Sequence, residues 1–172
     1  MALIYIGVGS NIEPKRHVPL GIRALAAEFA ALRLSSVYES AAVGFSGANF
    51  YNLVVEAQTE RSVEQVVATL KRLEFAHGRP ADARKFSSRT LDLDLLSYDQ
   101  QVLDSPTVLP RAEILTSAFV LRPFAELNPD FWHPVVGMTL SSLWQRYDAA
   151  SQPLTPVQLD WHPQPESEGT HV

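Results

Sequence analysis

Cysteine is absent from the 172 residues, which removes disulfides and cysteine-ligated zinc and fits a reducing compartment, with the cytoplasm as the expectation. Long apolar runs are missing as well. None approaches membrane-spanning length, and the opening MALIYIGVGS has no charged n-region, so a strand is expected there rather than a signal peptide. Positive charge is in short supply: 14 Lys and Arg stand against 19 Asp and Glu, a net charge of −5, which argues against a general nucleic-acid binder. No G-x-x-x-x-G-K-[ST] loop occurs, and GVGSN lacks both its length and its lysine, so a P-loop kinase is excluded. His17, His77, His133, His162 and His171 are scattered without zinc spacing, and no Ser-His-Asp or Cys-His arrangement is visible. There are no internal repeats.

What is present suits one globular domain. Apolar residues make up 46% and charged ones 19%, enough for a real core in a chain of this length. LIYIGVG, residues 3–9, is a nearly continuous apolar run, as in a strand buried on both faces. From Lys15 to Leu32, Ile22, Leu25, Ala26, Phe29 and Leu32 recur at helical spacing. Residues 32–40 read as a strand, AAVGFSGAN as a loop, and Phe50 to Gln58 as another strand. Ser62 opens a helix with Gln65 as its capping-box partner. Val63, Val66, Val67, Leu70 and Leu73 form its stripe, and Gly78 stops it. A polar loop then leads into a strand over Thr90–Ser97.

The order β-α-β-β-α-β predicts an α+β fold: a ferredoxin-like βαββαβ core with an antiparallel sheet, both helices on one face and the other face open for a ligand. A short C-terminal strand follows in QQVLDSPTVLP. AEILTSAFVLRPFAELNP predicts one or two short helices ended by Pro123 and Pro129. The domain is expected over 1–150, with residues 151–172 an irregular tail.

The chemistry concentrates in KFSSRTLDLDLLSY. Residues i and i+2 of a strand share a face, about 6.5–7 Å apart, so Leu91, Leu93 and Leu95 face the core while Asp92 and Asp94 share the other side. Like charges so close repel unless water or a cation screens them, and magnesium takes one or two carboxylates with phosphates and waters. Six of the 14 cationic residues, Lys71, Arg72, Arg79, Arg84, Lys85 and Arg89, run into this strand. Together they suggest a polyphosphate held with a divalent cation; a solvent-facing strand after a solvated helix end is the plainer alternative.

The quoted segments YIGVGSN, VYESAAVGFSGANFYNLV, LEFAHGR…SSRTLDLDLL and AFVLRPFAELNP make the chain resemble the 6-hydroxymethyl-7,8-dihydropterin pyrophosphokinase family over roughly residues 4–130. The run Arg-x-x-Asp-aliphatic-Asp-aliphatic-aliphatic, Arg89 to Leu96, is the most specific part. The resemblance implies the same ferredoxin-like core with extra C-terminal elements, and pyrophosphoryl transfer from ATP to a reduced pterin with release of AMP. It implies that Asp92 and Asp94 hold two magnesium ions, with Asp92 also near the substrate hydroxyl, and that Arg79 and Arg89 are catalytic phosphate contacts. Lys71, Glu74, Leu95 and Arg111 would join them in binding ATP. Ser40, Val43, Phe50, Asn52 and Phe119 would form the pterin slot, Ser40 and Val43 by backbone contacts, Asn52 by its amide and the two phenylalanines by stacking.

Several positions depart from the family pattern. Phe86-Ser87-Ser88 replaces an aromatic-Gly-Pro run, Ala81 and Asp82 stand at loop positions usually basic, and Arg111 stands where a histidine is common. Ser117 and Pro106 replace basic residues. ATP and the reduced pterin are the expected partners, with no nucleic acid or membrane, and the chain is expected to act as a monomer. A pterin- or nucleotide-binding paralogue of altered activity, or a ferredoxin-like regulatory or RNA-binding module, are the alternative readings.

Overall fold

The computed structural model describes residues 1–41, 48–78 and 90–161. β1 (Ala2–Ser10) lies inside the sheet, antiparallel to β4 (Phe50–Thr59) on one side and to β5 (Asp92–Tyr98) on the other. β2 (Ala30–Leu34) and β3 (Val37–Ser40) pair in succession along the far edge of β4. α1 (Pro14–Glu28) and α2 (Val63–Ala76) connect them, giving the anticipated βαββαβ unit. Gln65 N–H donates to Ser62 Oγ at 3.2 Å and Ser62 N–H to Gln65 Oε1 at 2.9 Å, so α2 begins with the capping box that the sequence predicts. It ends before Gly78, whose φ of +91° few other residues tolerate.

Alternation along β1 separates two cores. Ile4, Ile6 and Val8 join Leu53, Val55, Leu93 and Leu95 on the face that α1 and α2 cover with Val18, Leu25, Val66 and Leu70. Gly21 permits a close approach there, because an added Cβ would sit 2.8 Å from the Leu91 side chain. The opposite face is not open along its whole length, contrary to expectation. Tyr5, Val54 and Leu96 are buried beneath α3 (Glu113–Thr116), α4 (Ala118–Leu127) and α5 (Leu140–Arg146) by Ile114, Leu121, Phe124 and Leu140. Tyr5 packs on Phe124 and Phe131 with ring centroids 4.4 and 5.7 Å away. Pro123 lies within α4 rather than ending it, since proline removes only one intrahelical bond there.

Two further expectations change. The strand over 32–40 is broken at Ser35–Ser36, where side chains compete with the ladder: Val54 N–H donates to Ser35 Oγ, and Ser36 N–H donates to Glu126 Oε2 at 2.7 Å. The segment after Ser151 is not without structure. After a 3-10 turn at Ala149–Ser151, β8 (Thr155–Val157) extends the sheet beyond β3, with Pro156 tolerated because the strand is an edge. The predicted strand near Val102 reduces to a Leu103–Leu109 bridge. β6 (Trp132–His133) and β7 (Met138–Thr139) form a small separate hairpin. No helix among the described residues is long and apolar enough to cross a membrane.

Candidate functional site

Strand register builds the site. Gly9 pairs with Asn52 on β4 and with Asp92 on β5, so the three lie in one row across the sheet. The next row on that face is Val54, Gly7 and Asp94. Two glycines at alternate positions of β1 thus leave a floor without side chains between an amide and two half-buried carboxylates. The floor is needed at Gly9: an added Cβ would lie 2.8 Å from Asn52 Oδ1. These glycines escaped the sequence-based site assignment, although glycine spaced i, i+2 inside an apolar strand signals close approach on one face.

Asn52 is 8% exposed and its Nδ2 donates to Ser40 Oγ at 3.2 Å. Ser40 therefore orients the amide, using one of its two donor hydrogens, while Oδ1 is directed over the Gly9 floor. Tyr38 is Asn52's neighbour on β3 and was also missed. Its hydroxyl donates to Glu126 Oε1, and the Arg122 guanidinium sits 4.6 Å from its ring centroid. Burial, then the bond to Glu126, raises the Tyr38 pKa and keeps the hydroxyl a donor. Phe50 lies opposite Ser40 in the register, on the face shared by Asn52. Phe119 comes from the first turn of α4, half-buried against the Tyr5–Phe124 core. The two aromatics thus come from different layers, one from the sheet and one from the helices over it.

On the acid side, Arg111 N–H donates to Leu96 O at 2.9 Å, tying the segment before α3 to β5. Its Nη2 lies 3.3 Å from Asp94 Oδ1 and its Nε 3.2 Å from Glu113 Oε2. Glu74, one of the expected ATP contacts, lies on the buried face of α2. It is 4% exposed, turned into the protein, and accepts the Leu93 N–H at 2.9 Å. Leu93 stands between the two aspartates, so Glu74 holds their strand, while Lys71, one turn away, is exposed. Leu95 buries its side chain in the helix-side core, on the face opposite the acids, as the strand alternation predicts. Val43, Arg79 and Arg89 lie outside the described residues.

The donor chemistry suits magnesium. Among the described residues no three His, Cys, Asp or Glu groups cluster as a complete metal cage. The protein offers Asp92 and Asp94, a hard oxygen pair that leaves positions for phosphates and water, as magnesium prefers.

Fold and site together define an α+β protein with an amide and two carboxylates gathered on one face of a ferredoxin-like sheet. The family model for 7,8-dihydro-6-hydroxymethylpterin-pyrophosphokinase matches residues 5–129. The chain belongs to that family. It is 30% identical to the 2-amino-4-hydroxy-6-hydroxymethyldihydropteridine pyrophosphokinase of Aquifex aeolicus over 78% of its own length and 86% of the relative's. A folic acid synthesis protein of Pneumocystis carinii is 29% identical over 83% of the chain, which spans only 20% of that longer protein. A Plasmodium falciparum HPPK-DHPS structure shares the fold with a TM-score of 0.64 at 12% identity, covering 86% of this chain and 44% of its own.

Proposed function

We propose that this chain transfers a pyrophosphoryl group from ATP to the hydroxymethyl oxygen of a 6-hydroxymethyl-7,8-dihydropterin. The oxygen attacks the β-phosphorus, the bond from that phosphorus to the α,β-bridging oxygen breaks, the hydroxyl proton is lost and AMP leaves. The observation that carries the reading is the Asn52–Gly9–Asp92 row, which puts a buried amide in register with a carboxylate. Family membership supplies the substrate class.

Asn52 pairs with the donor and acceptor edge of the pterin, its orientation fixed by Ser40. Phe50 and Phe119 close on the ring faces. Asp92, the carboxylate in the Asn52 row, accepts a hydrogen bond from the hydroxymethyl group and points its oxygen toward the phosphorus. Asp92 and Asp94 hold two magnesium ions, which when bound neutralise charge on the phosphoryl oxygens. Arg111 contributes a fixed positive charge beside Asp94, and Arg79, Arg89 and Lys71 contribute further cations toward the triphosphate. Positioning and electrostatics carry such a reaction, because charge gathers on phosphoryl oxygens in the transition state. The partners are ATP and the reduced pterin, with no nucleic acid or membrane, and the chain acts as a monomer in the cytoplasm.

AMP release in the presence of the reduced pterin tests the reading. Asp92→Asn and Asp94→Asn should each melt like the wild type and lose about a hundredfold or more of turnover, the scale of losing charge stabilisation at a reacting phosphate. Wild-type rates in both variants would remove the acid pair from the mechanism.

A further inference from the structure

Arg111 has a backbone tie to the acid strand and a carboxylate on each side of its guanidinium. Its backbone is bonded to Leu96 O, two residues past Asp94 on the same strand. Its Nη2 faces Asp94 Oδ1 at 3.3 Å, and Glu113 Oε2 lies 3.2 Å from Nε on the other side. The Arg111 and Asp94 side chains are 30% and 36% exposed, so the pair is partly shielded without being dry. The guanidinium therefore sets a positive charge against Asp94 before any ligand arrives.

That arrangement bears on how a divalent cation reaches the acid pair. A bare cation must share Asp94 with the guanidinium against like-charge repulsion, or displace it at the cost of the ion pair. A triphosphate changes the balance, since its oxygens offer the planar guanidinium a bidentate partner in place of Asp94. Resting on the reading of this site as one for magnesium and ATP, we propose that Arg111 is a positioning residue that blocks bare divalent cations from Asp92 and Asp94 and releases Asp94 only to a triphosphate. Metal then enters as its nucleotide complex. Glu113, whose carboxylate lies beside Nε without a hydrogen bond to it, keeps a second negative charge against the guanidinium while its other partner changes.

The experiment is a titration of Mn2+ alone into the full chain, followed by free-metal paramagnetic resonance, for wild type, Arg111→Gln and Arg111→Lys. A parallel calorimetric titration uses a non-hydrolysable ATP analogue with and without magnesium. Arg111→Gln should tighten bare Mn2+ binding about fivefold or more, since the competing ion pair is partly exposed and the incoming charge is double. It should weaken magnesium-dependent analogue binding by a comparable factor. Arg111→Lys keeps the charge and should leave bare Mn2+ affinity within about twofold of wild type. Unchanged Mn2+ affinity in a folded Arg111→Gln chain overturns the proposal alone, as does equal tightening in both variants. A wild-type chain that binds the analogue no better with magnesium than without it overturns the reading of the site, and the proposal with it.

Discussion

Gly9 has no side chain where Asn52 already fills the space. Its φ is not what selects glycine; the 2.8 Å approach of the amide oxygen is. Asn52→Ala should weaken pterin binding by about 1–3 kcal/mol, the cost of leaving buried partners unpaired, with little change in nucleotide affinity. Gly9→Ala should produce a loss of similar size, because the new methyl pushes the amide off its line with Ser40. The double variant should lose no more than the larger single loss, the mark of two residues acting through one contact. Fluorescence titration of the pterin reads all three. Additive losses would mean that Gly9 and Asn52 serve the ligand separately, and no loss in Gly9→Ala would show that the floor has room to spare.

At the scale of elements, the joint between α2 and β5 decides where the acid pair stands. Glu74 accepts the Leu93 N–H from inside the protein, and Asp92 and Asp94 flank that residue. Glu74→Ala should therefore cost about 1–3 kcal/mol in urea unfolding, the cost of leaving the buried Leu93 N–H unpaired, and should slow turnover by loosening the acid strand. Lys71→Ala, one turn away and exposed, should leave stability unchanged. A Glu74→Ala chain as stable as wild type would remove the joint from the account. This residue also marks the limit of what the sequence discloses. The βαββαβ order, the Ser62–Gln65 box, the Gly78 stop and the shared face of Asp92 and Asp94 are legible because each follows from local periodicity or capping. Asn52 stands out as an amide in an apolar strand. The inward turn of Glu74 is not legible, because it depends on which way one element meets another. Nor are the Ser35–Ser36 break and β8, where side-chain bonds to Glu126 and Val54, or an edge partner, outweigh local pattern.

For the whole molecule, the second layer of helices over Tyr5 and Val54 ties the C-terminal third to the sheet, and His133 reports on that tie. It is 2% exposed in the small hairpin that follows Phe131, itself packed on Tyr5 and Phe124. Nδ1 accepts from Val135 and Val136 N–H, and Nε2 is buried without a partner. Burial lowers the His133 pKa, so the folded state favours the neutral ring. The unfolded chain binds the proton more readily, with an ordinary histidine pKa of about 6.5. His133's contribution is thus complete above that value and is lost as pH falls toward the lower folded pKa, with a slope of at most about 1.4 kcal/mol per pH unit. His77, whose pKa is lowered first by burial and then by His17, adds loss in the same direction. Glu28 and Glu126 also have lowered pKa values, so their contributions fade only further into acid, below the ordinary carboxylate value. Urea unfolding between pH 7 and pH 5 consequently isolates the histidines. His133→Asn can keep an acceptor near Nδ1 while removing the titration, and should flatten the stability loss across that interval relative to wild type. An undiminished loss in the variant would place the acid sensitivity elsewhere and leave His133 a packing residue only.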